Sequence, residues 1–292
     1  MGRWLTMTFR GPAGAMVFLA ALALATALFL RSPGLDVRDG RDDRGRNGIA
    51  VTSAWLTGTA PAGDFAAGVR EQRMAEIMIE LPPPNADGTL AGIDSARVDA
   101  LLYECYEARG WVQIGVTHRA FDDPRWRRFF IVDLRRLLDR LPRVRGVVLD
   151  LANVADVSPA LLTLLDELRP ALAPDARPLA IVAHRWEQPY FREVARRADL
   201  LVMPLDISTS AFARFSTGRC VEHIQSTLAW CEGKPVLFRL PTDKRLRRGL
   251  STIHFAFSKT NAPEQYQGIL WETSAAPDRA TWAEVRARFL KP

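Results

Sequence analysis

The sequence predicts a closed (β/α)8 barrel of the TIM type, preceded by an N-terminal transmembrane helix and a flexible tether. Three observations carry this. Beyond residue 47, eight short apolar runs alternate with longer amphipathic ones. That stretch is about the 250 residues such a barrel needs. The rival, an open doubly wound sheet, usually carries a phosphate-cradling glycine loop, and neither GxGxxG nor GxxxxGK followed by Ser or Thr occurs.

Composition narrows the function classes. Hydrophobic residues make up 48% and charged residues 25%, a globular balance. Three cysteines are too few for a disulfide scaffold, and the four scattered histidines lack zinc-finger spacing, so no metal or other cofactor is expected. The net charge of +6 is spread among interspersed Arg and Asp with no nucleic-acid-binding motif, so no nucleic acid partner is expected.

Ala13 to Leu30 is an 18-residue run without a charge, at the lower limit of a membrane span, and Arg3 and Arg10 precede it. The run lacks a clear small-x-small cleavage site, which favours a signal anchor in residues 1–30 over a cleaved signal peptide. Counting Arg on each side would leave the C-terminal part in the cytoplasm, because Arg31, Arg38, Arg41, Arg44 and Arg46 follow the span. The resemblance given below points the other way, to an inner-membrane protein with its barrel in the periplasm, or to a secreted one. Residues 31–47 (RSPGLDVRDGRDDRGRN) are polar and Gly-containing and read as a tether.

The barrel is assigned to residues 48–292. Strands are expected at Ile49–Trp55, Ala75–Leu81, Trp111–Thr117, Val144–Leu151, Leu179–His184, Leu200–Leu205, Pro235–Leu240 and Gln267–Trp271. Helices are expected at Ser95–Ala108, Phe129–Leu141, Pro159–Leu172, Gln188–Arg197, Gly218–Cys231 and Thr281–Leu290. Ser158-Pro159 supplies a cap and an N1 proline for the third.

Barrel enzymes build their sites at the C-terminal ends of the strands. There this sequence sets Trp55, Glu80, His118, Asp150, Trp186, Glu187, Asp206, Asp243, Trp271 and Glu272. Indole faces stack on sugar rings, and carboxylates bind hydroxyls or move protons. Asp150, Asp206, Glu187 and Glu272 are the catalytic candidates; Trp55, Glu80, His118, Trp186, Asp243 and Trp271 are the substrate-binding ones. A basic cluster, Lys244 to Arg248, follows the seventh strand and reads as a solvated loop. Cys220 and His223 share a helical turn, but no strained nucleophile turn surrounds them, so they read as packing.

Several segments resemble glycoside hydrolase family 18, the chitinase-like barrels. IMIELPPPNADGTL (Ile77–Leu90) is similar to an early strand and turn of the family, WVQIGVTH to its third strand, and VRGVVLDLANV to its catalytic strand. VMPLD (Val202–Asp206) is similar to "vMtYD", RLP (Arg239–Pro241) to "GlP", and Trp271-Glu272 to the terminal Trp-Glu. The catalytic motif D-x-x-D-x-D-x-E is degenerate here. Its four acidic positions fall on Arg145, Val148, Asp150 and Ala152, and the Tyr of the sixth strand falls on Leu205. The resemblance implies a barrel that binds a polysaccharide or oligosaccharide, with Ala152 standing where the family's proton-donating Glu would be. The alternative is an active hydrolase using other rim carboxylates. A protein partner at the same rim is left open.

Overall fold

The computed structural model describes residues 47–52, 62–117, 120–183, 186–205, 213–241, 263–273 and 283. Its strands are β1 (Gly48–Val51), β2 (Glu76–Leu81), β3 (Arg109–Gly115), β4 (Val144–Asp150), β5 (Leu179–Val182), β6 (Leu200–Pro204), β7 (Val236–Pro241) and β8 (Tyr266–Thr273). All pair in parallel and in sequence order, and β1 pairs with both β2 and β8, so the sheet closes on itself. The expected eight-stranded ring is therefore present.

The helices are α1 (Ala62–Glu71), α2 (Ser95–Glu104), α3 (Pro124–Arg140), α4 (Pro159–Leu172), α5 (Tyr190–Arg197) and α6 (Ala213–Trp230). α1 was not expected. Its repeated small residues, Gly63, Ala66, Ala67 and Gly68, mask the stripe formed by Phe65 and Val69, both buried. α3 starts five residues before the expected Phe129, because Asp123 caps it through the Arg125 amide and Pro124 takes the N1 position. Ser158 caps α4 through the Leu161 amide as expected. Apart from residue 283, the C-terminal helix expected at Thr281–Leu290 lies outside the described residues, as does the apolar run 13–30. Among the described residues no helix is long and apolar enough to cross a membrane.

Asn47 was expected to lie before the barrel. Asn47 is buried, its carbonyl accepts from the Ala75 amide at 2.7 Å, and its Oδ1 accepts from the Ile269 amide at 3.0 Å. It therefore belongs to the barrel, where it ties the first strand to its neighbours on both sides.

Two apolar layers follow from the period-two alternation of strand side chains. Ile49, Ile77, Val112, Leu149 and Phe238 face outward and pack with helix residues such as Phe130 and Leu165. Ala50, Met78, Trp111, Val148, Val202, Leu237 and Leu270 fill the lumen. Trp111 lies over Gly146, where an added Cβ would come within 2.3 Å of the indole ring. Its Nε1 donates to Glu76 Oε2 at 2.6 Å, and Arg109 pairs with the same carboxylate. Burial pushes the Glu76 carboxyl upward, partly offset by these two partners. This group sits at the start of β2 and β3, the end of a barrel that supports stability.

Candidate functional site

The opposite end carries the polar network. β7 reads VLFRLP, and Phe238 and Leu240 pack outward, so Arg239 must enter the lumen. Its Nη1 donates to Asp150 Oδ2 at 3.1 Å and its Nη2 to Glu272 Oε1 at 2.6 Å. Asp150 Oδ2 also accepts from Gln113 Nε2 at 2.8 Å, and Oδ1 from the Ala152 amide at 3.0 Å. One guanidinium thus joins side chains of β4 and β8, and Gln113 brings in β3.

The network is sheltered unevenly. The side chains of Asp150 and Arg239 are 16% and 13% exposed, whereas Glu272 is 35% exposed and is the member nearer solvent. Burial works against the charge on Arg239, but the Glu272 and Asp150 carboxylates outweigh it and hold the guanidinium above its ordinary range. Arg239 Nε and Gln113 Oε1 are buried without a hydrogen-bond partner among the described residues. The mouth therefore keeps one donor and one acceptor unused beside two engaged carboxylates.

Of the expected site residues, the structure brings Asp150 and Glu272 together. Glu80 is half-buried near the end of β2, in register with Gln113 and separated from Asp150 by β3 and from Glu272 by β1. Glu187 does not join the network: it is exposed, and its carbonyl accepts from the Phe191 amide at the start of α5. Two expected stacking surfaces are corrected. Trp271 is 1% exposed and belongs to the outer layer, because Leu270 and Glu272 on either side of it face the lumen. Trp186 is likewise buried, with Nε1 donating to the Val154 carbonyl at 2.8 Å, so it pins the segment after β5 to the one after β4. Trp55, His118, Asp206, Asp243 and the Lys244–Arg248 cluster lie outside the described residues.

Arg239 and Gln113 were missed as site residues. Each is a long polar side chain inside a strand buried on both faces, and such a residue has only the lumen to go to. That parity was available in VLFRLP and WVQIG.

The cysteines offer no competing chemistry. Cys105, Cys220 and Cys231 are buried, and burial pushes the Cys105 thiol up to about 12 and raises Cys231 as well. Among the described residues no group of three or more His, Cys, Asp or Glu is placed to hold a metal.

Solved structures with a similar barrel fold include chitinases and a spore cortex-lytic enzyme. The Bacillus megaterium spore cortex-lytic enzyme SleL is similar at a TM-score of 0.58 and 7% identity, covering 83% of this chain and 73% of that one. The barrel is similar to a chitinase from Chromobacterium violaceum at 0.52 and 15% identity, with coverage of 82% and 98%. An Ostrinia furnacalis Group IV chitinase matches at 0.50 and 17% identity, over 67% of this chain and 66% of that chitinase. At such identities the likeness is one of fold. No protein-family model and no curated protein matches the sequence.

Proposed function

We propose that the barrel binds a polysaccharide or oligosaccharide at its mouth and does not run the acetamide-assisted hydrolysis of family 18. The observation that carries this reading is the engagement of Asp150. Both its oxygens are taken up by Gln113, Arg239 and the Ala152 amide. Two residues on, the position of the family's proton donor holds a methyl group packed against the lumen cluster. An alanine has no proton to give a leaving group. What the mouth retains suits recognition: the Glu272 side chain, 35% exposed, presents its carboxylate to sugar hydroxyls at the open edge of the network. The names of the similar barrels, chitinases and a spore cortex-lytic enzyme, support the sugar class of the ligand.

In this reading residues 13–30 anchor the chain in the inner membrane and the following tether holds the barrel on the periplasmic side. Secretion after cleavage of the leader is the competing outcome, decided by the N-terminus and membrane fractionation of the mature protein.

The deciding experiment is calorimetric titration of the full chain with chito-oligosaccharides and soluble peptidoglycan fragments, alongside an assay for new reducing ends. Saturable binding without cleavage is expected. Cleavage would favour a second reading, supported by two carboxylates on one guanidinium, in which Asp150 and Glu272 share the acid and nucleophile or base roles. Absence of binding to every sugar would overturn both.

A further inference from the structure

Helix α3 buries Phe130, Leu134, Leu137 and Leu138 against the barrel. Its other side is unlike an ordinary solvated face. Arg125, Arg128, Arg135 and Arg140 are exposed there, and none forms an ion pair among the described residues. Among these guanidiniums lie Phe129, 50% exposed, and Val132, 40% exposed. At 3.6 residues per turn these six fall within one arc of roughly 140°. Arg136 shares the arc but is held by Asp133 at 3.2 Å, and Asp139 is the one exposed carboxylate in it.

A helix face made only for water would pair its arginines with acidic residues one turn away. Unpaired arginines around an apolar centre instead match an interfacial helix, whose cations meet anionic headgroups while apolar side chains enter the acyl boundary. The long arginine stems allow this, since they keep their charged ends at headgroup level while the helix settles inward. We propose that the outward face of α3 docks on an anionic lipid surface. The inference rests on the membrane anchor proposed for residues 13–30: if residues 31–46 form the proposed tether, that segment would span only about 20–24 Å on average. That length would keep the barrel beside the bilayer. α3 is the crossover between parallel strands β3 and β4 and so runs roughly along the barrel axis. Docking by this helix lays the barrel on its side, with its mouth opening across the membrane surface.

The test uses the full chain carrying Val132→Cys with an environment-sensitive dye; Cys105, Cys220 and Cys231 are buried and do not compete for it. The labelled protein is reconstituted in vesicles of phosphatidylcholine alone and with added phosphatidylglycerol. The expected result is a blue-shifted emission, quenched by brominated lipid, only in the anionic vesicles. It should be reversed by salt and lost in a variant with Arg125, Arg128, Arg135 and Arg140 all changed to Glu. Identical emission in both vesicles would overturn the proposal, as would a shift that survives charge reversal in a variant of unchanged circular dichroism. Failure to float with phosphatidylcholine vesicles would refute the anchor instead, and the emission in anionic vesicles would then decide the docking on its own.

Discussion

Arg239 on β7 and Asp150 on β4 stand three strands apart in the ring, and their side chains meet across it at 3.1 Å. With Glu272 on the other guanidinium nitrogen, the mouth is crossed by one cation held between two anions.

Removing that cation leaves both carboxylates facing each other in a sheltered space. Arg239→Met is expected to cost about 2–4 kcal/mol in urea unfolding, less than a fully buried pair because Glu272 is partly solvated. Adding Asp150→Asn and Glu272→Gln should recover much of the loss. A triple variant as unstable as the single one would show that the guanidinium acts through packing.

Asp150→Ala and Trp271→Ala should separate binding from stability. Asp150→Ala is expected to weaken sugar binding with a folded circular dichroism spectrum. Trp271→Ala empties a site in the strand–helix layer and should cost about 3–5 kcal/mol, while the folded fraction binds as before. Binding lost in a stable Trp271→Ala protein would return the indole to the sugar site.

Gly146 is expected to tolerate no methyl while Trp111 stays in place. Gly146→Ala should cost about 1–3 kcal/mol through overpacking. In a Trp111→Leu background the same change should cost less but not nothing, because the added Cβ would still lie 2.9 Å from the Pro178 carbonyl, and a double-mutant cycle measures the difference.

Glu76 sets a pH dependence at the other end of the barrel. Its carboxyl is raised above the ordinary 4.5, so the folded chain holds this proton more tightly than the unfolded one. The resulting stabilisation is complete below 4.5 and is lost as pH rises through the folded value. Glu76→Gln keeps an acceptor for Trp111 and should flatten that decline in thermal unfolding. An unchanged pH profile would assign the slope to other groups.

Much of the ring was legible because β-branched and leucine-rich runs such as VRGVVLD and LAIV lie between clearly amphipathic helices like α4. α1 was not, since two of its ten residues are glycine and its buried stripe is short. At the site, Asp150 and Glu272 were readable as strand-end carboxylates. The arginine between them was not, because a linear motif comparison matches RLP to the seventh-strand pattern and ignores which way each side chain alternates. Trp186 and Trp271 erred in the opposite direction: a tryptophan near a strand end suggests stacking on sugar, but alternation and the Val154 carbonyl place these two in the interior.

The bond from the Ile269 amide to Asn47 joins positions 222 residues apart. A chain folding as it emerges must therefore wait for those 222 residues before this seam is sewn. Until then the margins of β1 and β7 stay bare, adhesive templates for a neighbouring chain. The architecture that leaves the finished molecule without a ragged border makes the period before β8 joins the hazardous one.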